Sequence, residues 1–130
     1  MTPELMARAC VFLNPDESVA LARAATGSPP TLVLVMVDED GLVVAARDEL
    51  PSSDQLREAF STLSKLVQPR GAAAAVVVTP PLLVTRSAWD GVSNVLREAD
   101  IELLDWLMDD GEHTASLARD VGVSPPWTAS

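Results

Sequence analysis

Residues 72–90 read AAAAVVVTPPLLVTRSAWD: an uninterrupted apolar run, two adjacent prolines, an irregular connection, and then Ser87, a residue type that starts helices. An apolar run of this length, branched at Val76, Val77 and Val78 and stopped by Pro80, is the pattern of a strand buried on both faces, here placed at 73–78. Beyond the prolines, Trp89, Val92, Leu96 and Ala99 recur at helical spacing and mark a helix over about 88–99, with Ser87 as its cap. The segment is thus a strand, a loop and the start of a helix.

Working upstream, Ser52 and Gln55 have the spacing of a capping box, and Leu56, Phe60, Leu63 and Val67 form one face of a helix ending before Pro69 and Gly71. Residues 31–37 are wholly apolar apart from Thr31 and carry Val33, Val35 and Val37, which predicts a second strand buried on both faces and central in the sheet. The polar turn Asp38-Glu39-Asp40-Gly41 joins it to a strand at 42–46 as a hairpin. Such an acidic cluster invites a calcium reading, but the ligand spacing of an EF-hand loop is absent and a solvated turn is favoured. Thr2-Pro3 and Asn14-Pro15-Asp16-Glu17 each pair a cap with proline in the first turn, predicting two helices within a helical lead-in at 1–27.

Downstream, 101–108 and 113–117 read as a last pair of strands around Asp109-Asp110-Gly111-Glu112, and 124–130, with Pro125-Pro126, as a loose tail. Helices interleaved with strands predict an α/β fold, a single-domain α-β-α sandwich around a mixed sheet spanning residues 1–123.

Composition narrows the partners. At 130 residues and 48% hydrophobic content the chain can bury about two thirds of its unfolded surface in one core. Nine basic against nineteen acidic residues give a net charge of −10, which repels phosphate backbones and anionic lipid headgroups, so neither nucleic acid nor membrane is an expected partner. The single Cys10 has no partner for an intramolecular disulfide and no neighbouring Cys or His to share a metal; it reads as a small core residue in a reducing compartment. The N-terminal residues lack the basic-then-apolar pattern of a secretory signal, and no stretch approaches a membrane span, so a soluble cytoplasmic protein is expected.

The central segment resembles the RadC-like branch of the JAB/MPN metallo-isopeptidases, a fold of cytidine-deaminase-like type. In that branch the segment reads Ala-Ala-x-x-x-x-His-x-His-Pro-Ser-Gly-x-x-x-x-Ser-x-x-Asp, and two histidines and the aspartate hold zinc. Pro80, Ser87 and Asp90 fall at those spacings, while Val77 and Thr79 stand where the histidines would be and Pro81 where the first serine would be. The resemblance runs from about Asn14 to Gly122: Leu103-Leu104-Asp105-Trp106 is similar to the family's Leu-Leu-Asp-His, Arg57-Glu58-Ala59-Phe60 to its Arg-Glu-x-Phe, Val37-Asp38 to the end of its first strand, and Asp110-Gly111 with Ser116-Leu117 to a motif near its end.

The departures bear on function. The family's general-base glutamate precedes its first strand, and Ser28-Pro29-Pro30-Thr31 holds no carboxylate there. The stretch between Asp90 and Leu103 is shorter than the family pattern, and no counterpart of the helix-hairpin-helix unit that precedes many RadC-like domains is expected within these 130 residues. Zinc hydrolysis needs three protein ligands, an open water position and a base; Val77 and Thr79 cannot supply imidazole, so Val77, Thr79 and Asp90 read as a degenerate metal site with no bound metal or cofactor. Asp90 also has a structural reading, reaching back from the third helical position to the Ser87 amide.

The expectation that follows is a pseudoenzyme: a non-catalytic protein-interaction or scaffold module whose protein partner the residues do not identify, with room for a homodimer. The alternative is a hydrolase with a relocated acid-base site built from Asp90, Asp105, Glu58 or His113, the only histidine. No nucleophile elbow, phosphate loop or cysteine pair accompanies them.

Overall fold

The computed structural model describes residues 2–128. Its elements follow the order α1 (Pro3–Phe12), α2 (Pro15–Thr26), β1 (Leu32–Asp38), β2 (Gly41–Arg47), α3 (Leu56–Val67), β3 (Ala73–Thr79), α4 (Arg86–Glu98), β4 (Ile101–Asp109), β5 (Thr114–Ser116) and α5 (Leu117–Val121). One five-stranded mixed sheet has the order β2-β1-β3-β4-β5; β1 is antiparallel to both its neighbours, β3 and β4 are parallel, and β5 returns antiparallel.

Strand period two divides the apolar residues of the central strands between two cores. On one face Leu32, Leu34, Met36, Ala75, Val77 and Trp106 pack with α3, α4 and α5 through Phe60, Leu63, Trp89, Leu96 and Leu117. On the other, Val33, Val35, Val37, Val76, Val78 and Leu107 meet Leu5, Ala9, Leu13, Val19 and Ala22 of α1 and α2. Every residue of β1 and of β3 is buried, which is why both read as unbroken apolar runs. The result is an α/β three-layer arrangement. No helix among the described residues is long and apolar enough to cross a membrane.

The helix starts follow local chemistry. The Thr2 hydroxyl accepts from the Leu5 amide at 3.2 Å and Asn14 Oδ1 from the Glu17 amide at 3.0 Å, each with proline in the first turn. At α4 the cap is Thr85 rather than Ser87: the Thr85 side chain accepts from the Ala88 amide at 3.3 Å, and Ser87 lies inside the first turn. Ser52 makes no side-chain cap either; a short 3-10 turn, Ser53–Gln55, held by the Gln55 amide on the Ser52 carbonyl, comes before α3.

Three further corrections lie in the C-terminal third. The parallel pairing slips at one point, with Ala75 opposite Leu103 but Val76 opposite Asp105, so Leu104 is an extra, bulged residue. The bulge shifts the alternation by one residue, so that Leu103 and Trp106 share one core and Leu104 and Leu107 the other. The strand expected at 113–117 is only Thr114–Ser116, because Leu117 begins α5 and buries Leu117, Ala118 and Val121. Part of the expected loose tail is ordered: Pro126–Thr128 form a 3-10 turn, Pro125 is buried, and Trp127 packs on the α1/α2 core; residues 129–130 lie outside the described residues. Cys10 is half-buried rather than a core residue.

Candidate functional site

The exit of β3 holds Val77 and Thr79, two of the positions that the resemblance reads as a degenerate metal site. Val77 and Thr79 share a face of the strand and are both wholly buried. Val77 packs in the α3/α4 core, and the parallel neighbour β4 places Trp106 beside it. The Trp106 indole N–H donates to Thr79 Oγ1 at 2.9 Å, and the Thr79 hydroxyl donates in turn to the Pro80 carbonyl at 3.0 Å. Phe60 meets the Trp106 ring edge-on, with centroids 5.9 Å apart. The threonine thus uses both its donor and an acceptor site inside the core, and the indole uses its only donor. Trp106 and Thr79, both at positions where the resemblance would place a histidine, are thus bonded to each other.

Asp90 does not join them. It is exposed on α4, one residue after the buried Trp89, and its carboxylate enters no hydrogen bond or ion pair among the described residues. With Thr85 as the cap, Asp90 is the fifth residue of the helix, too far along to return to the Ser87 amide. The open groove beside the loop after β3, about 430 Å³ and lined by residues that include Leu56, Arg57, Leu83, Thr85 and Ser87, contains none of Val77, Thr79 and Asp90. Among the described residues no three His, Cys, Asp or Glu side chains come together in a way that could hold a metal ion.

Asp105 is the most deeply placed carboxylate near this region. It is wholly buried, and Oδ1 accepts from the Trp106 amide at 2.7 Å and the Ala118 amide at 3.3 Å, while the Ser116 hydroxyl lies 2.8 and 2.9 Å from the two oxygens. Burial pushes its pKa up; the Ser116 hydroxyl, the two backbone amides and Trp127 pull the other way. Its bonds fasten β5 and the first turn of α5 to β4 and leave the carboxylate no open side toward solvent.

Glu58 is exposed on α3, and His113 is exposed in the β4–β5 turn with Nδ1 3.7 Å from Asp110 Oδ2. No two of Asp90, Asp105, Glu58 and His113 share a hydrogen bond or ion pair, so the structure does not assemble them into one site. In the turn itself the Asp110 carboxylate accepts from the His113 and Glu112 amides, which hold its pKa below the usual carboxylate range.

Two further buried carboxylates, Asp109 and Asp38, are structural anchors. Asp109 is wholly buried and bidentate with Arg23: Nε to Oδ2 and Nη2 to Oδ1, both 2.8 Å. The hydrogen bond from Arg23 is the main cause that lowers the Asp109 pKa, and the same bond raises that of Arg23. Asp38 closes the β1–β2 turn, accepting from the Asp40 and Gly41 amides at 2.8 and 3.1 Å and from the Arg70 amide at 2.9 Å. Its oxygens bind backbone N–H groups. An acid next to a turn and an Arg in the last turn of a helix were legible signals; that they pair across the fold was not.

No family model, curated protein or solved structure matches the chain.

Proposed function

We propose that this chain is a metal-free, non-catalytic module of JAB/MPN type that acts by contact with another protein. The observation that carries the reading is the Trp106 to Thr79 to Pro80 relay inside the core, in the place where the resemblance puts zinc ligands. A hydrolytic zinc centre keeps a position open for water. Here the equivalent backbone positions present a packed valine and a hydroxyl already bonded twice. The three-layer arrangement around a mixed sheet and the unbroken order of the matching fragments support the family part of the reading. The charge of −10 favours a protein partner over nucleic acid.

Metal analysis of the purified chain, with an assay on an isopeptide-linked substrate, tests this. The expected result is no stoichiometric zinc and no cleavage. About one zinc per chain, whose removal by a chelator unfolds the protein, would overturn it.

A further inference from the structure

The sheet has two edges of very different kind. β5 is three residues long and runs straight into α5, a short edge of the sort that blocks further pairing. β2, at the other side, is seven residues, GLVVAAR, with no proline, no lysine and no charge before Arg47. Its neighbour β1 uses only one side of it, so alternate residues of β2 turn backbone N–H and C=O groups outward. On the α1/α2 face, Leu42 and Val44 remain 38% and 37% exposed, and Ala46 is exposed beside them. Both ends of this apolar edge carry more acid than base: Glu39 and Asp40 precede it, with Arg70 3.6 Å from Asp40, and Asp48 and Glu49 follow Arg47, all four carboxylates exposed.

Those brackets choose the occupant. An antiparallel second copy that used the whole strand would pair Gly41 with Arg47 and Val44 with itself, which puts Asp40 opposite Asp48 and Glu39 opposite Glu49. Like charges directly opposite are unfavourable, and two chains of −10 repel as bodies. We propose that β2 docks an extended segment of a partner protein, apolar at alternate positions and carrying Lys or Arg at both ends, which adds to the sheet as a further strand. This rests on the protein-contact reading above and names its surface. Backbone hydrogen bonds supply the attachment, the row Leu42, Val44 and Ala46 prolongs the apolar face, and the acidic brackets select the basic ends.

The test uses the full chain and a synthetic peptide, Lys-Lys-Val-Thr-Val-Thr-Val-Lys-Lys, in a fluorescence anisotropy titration at low salt, with hydrogen exchange read by NMR. Saturable binding is expected, with slowed exchange of β2 amides. It should weaken at least about tenfold in high salt, with Glu in place of the flanking Lys, with alternate peptide nitrogens methylated, and in the chain variant Asp48→Lys with Glu49→Lys. No saturable binding, binding that survives N-methylation, or protection away from β2 would overturn the proposal. So would a dimer in sedimentation that Val44→Lys dissolves, which would make a second copy the occupant. Failure here leaves the metal-free reading intact, because zinc content judges that separately.

Discussion

The Trp106 indole and the Thr79 hydroxyl, on neighbouring parallel strands, are hydrogen-bonded at 2.9 Å in a region with no solvent access to either residue. A buried donor left without its acceptor costs about 1–3 kcal/mol, more than the bond itself contributes net. Thr79→Val should therefore destabilise the fold by about that amount, through an orphaned indole N–H, while Thr79→Ser keeps the acceptor and loses less. Trp106→Phe combined with Thr79→Val should cost less than the sum of the two single changes, since neither polar group then remains. Urea midpoints of the parent and these four variants check this; strict additivity would mean that the two side chains do not depend on each other.

The start of α4 has two residues of capping type, Thr85 at the cap and Ser87 within the first turn. Thr85→Ala should destabilise by about 1 kcal/mol, because the Ala88 amide loses its acceptor. Ser87→Ala, at an exposed position within the first turn, should stay within about 0.5 kcal/mol of the parent. The reverse order of effects in denaturant midpoints would return the cap to Ser87.

Asp105 and Asp109 give opposite pH dependences. The pKa of Asp105 is raised in the fold, so its contribution to stability is full below the ordinary aspartate value, about 4, and is lost as pH rises through the folded value. That of Asp109 is lowered, so its contribution is present above about pH 4 and is lost as pH falls through the folded value. In midpoints measured across the acid range, Asp105→Asn should flatten the decline on the rising-pH side, and Asp109→Asn should flatten the loss on the acid side. The second variant should also be the less stable at neutral pH, since it breaks the bidentate pair with Arg23. The same pH profile in both variants would contradict the assignment.

How much of this was legible depended on how local the physics is. Thr2-Pro3 and Asn14-Pro15 start helices through bonds three residues away, and β1 and β3 declare double-sided burial by composition alone. Thr85 and Ser87 are both residues of capping type, and no local pattern chooses between them. The bulge at Leu104 is hidden because Leu103-Leu104 is apolar in either register, and five residues of α5 are too few to show a period. Arg23 with Asp109, Trp106 with Thr79 and Asp105 with Ser116 are pairings across the sheet or around a turn, which no local pattern encodes. The positions Val77, Thr79 and Asp90 were named from the sequence; that the first two are sealed in the core while Asp90 faces solvent came from the structure.

The exit of β3 is closed core at the positions where the resemblance would put zinc ligands. The Trp106 indole N–H reports on that place, since its hydrogen bond is to Thr79 itself, and Trp106→Phe identifies its signal among the three tryptophans. Followed by NMR during titration with zinc, this resonance should hold its position and its slow exchange with solvent throughout. A saturable shift complete near one zinc per chain, with the indole proton becoming exchangeable, would show a metal entering between Val77, Thr79 and Trp106 and would contradict the account.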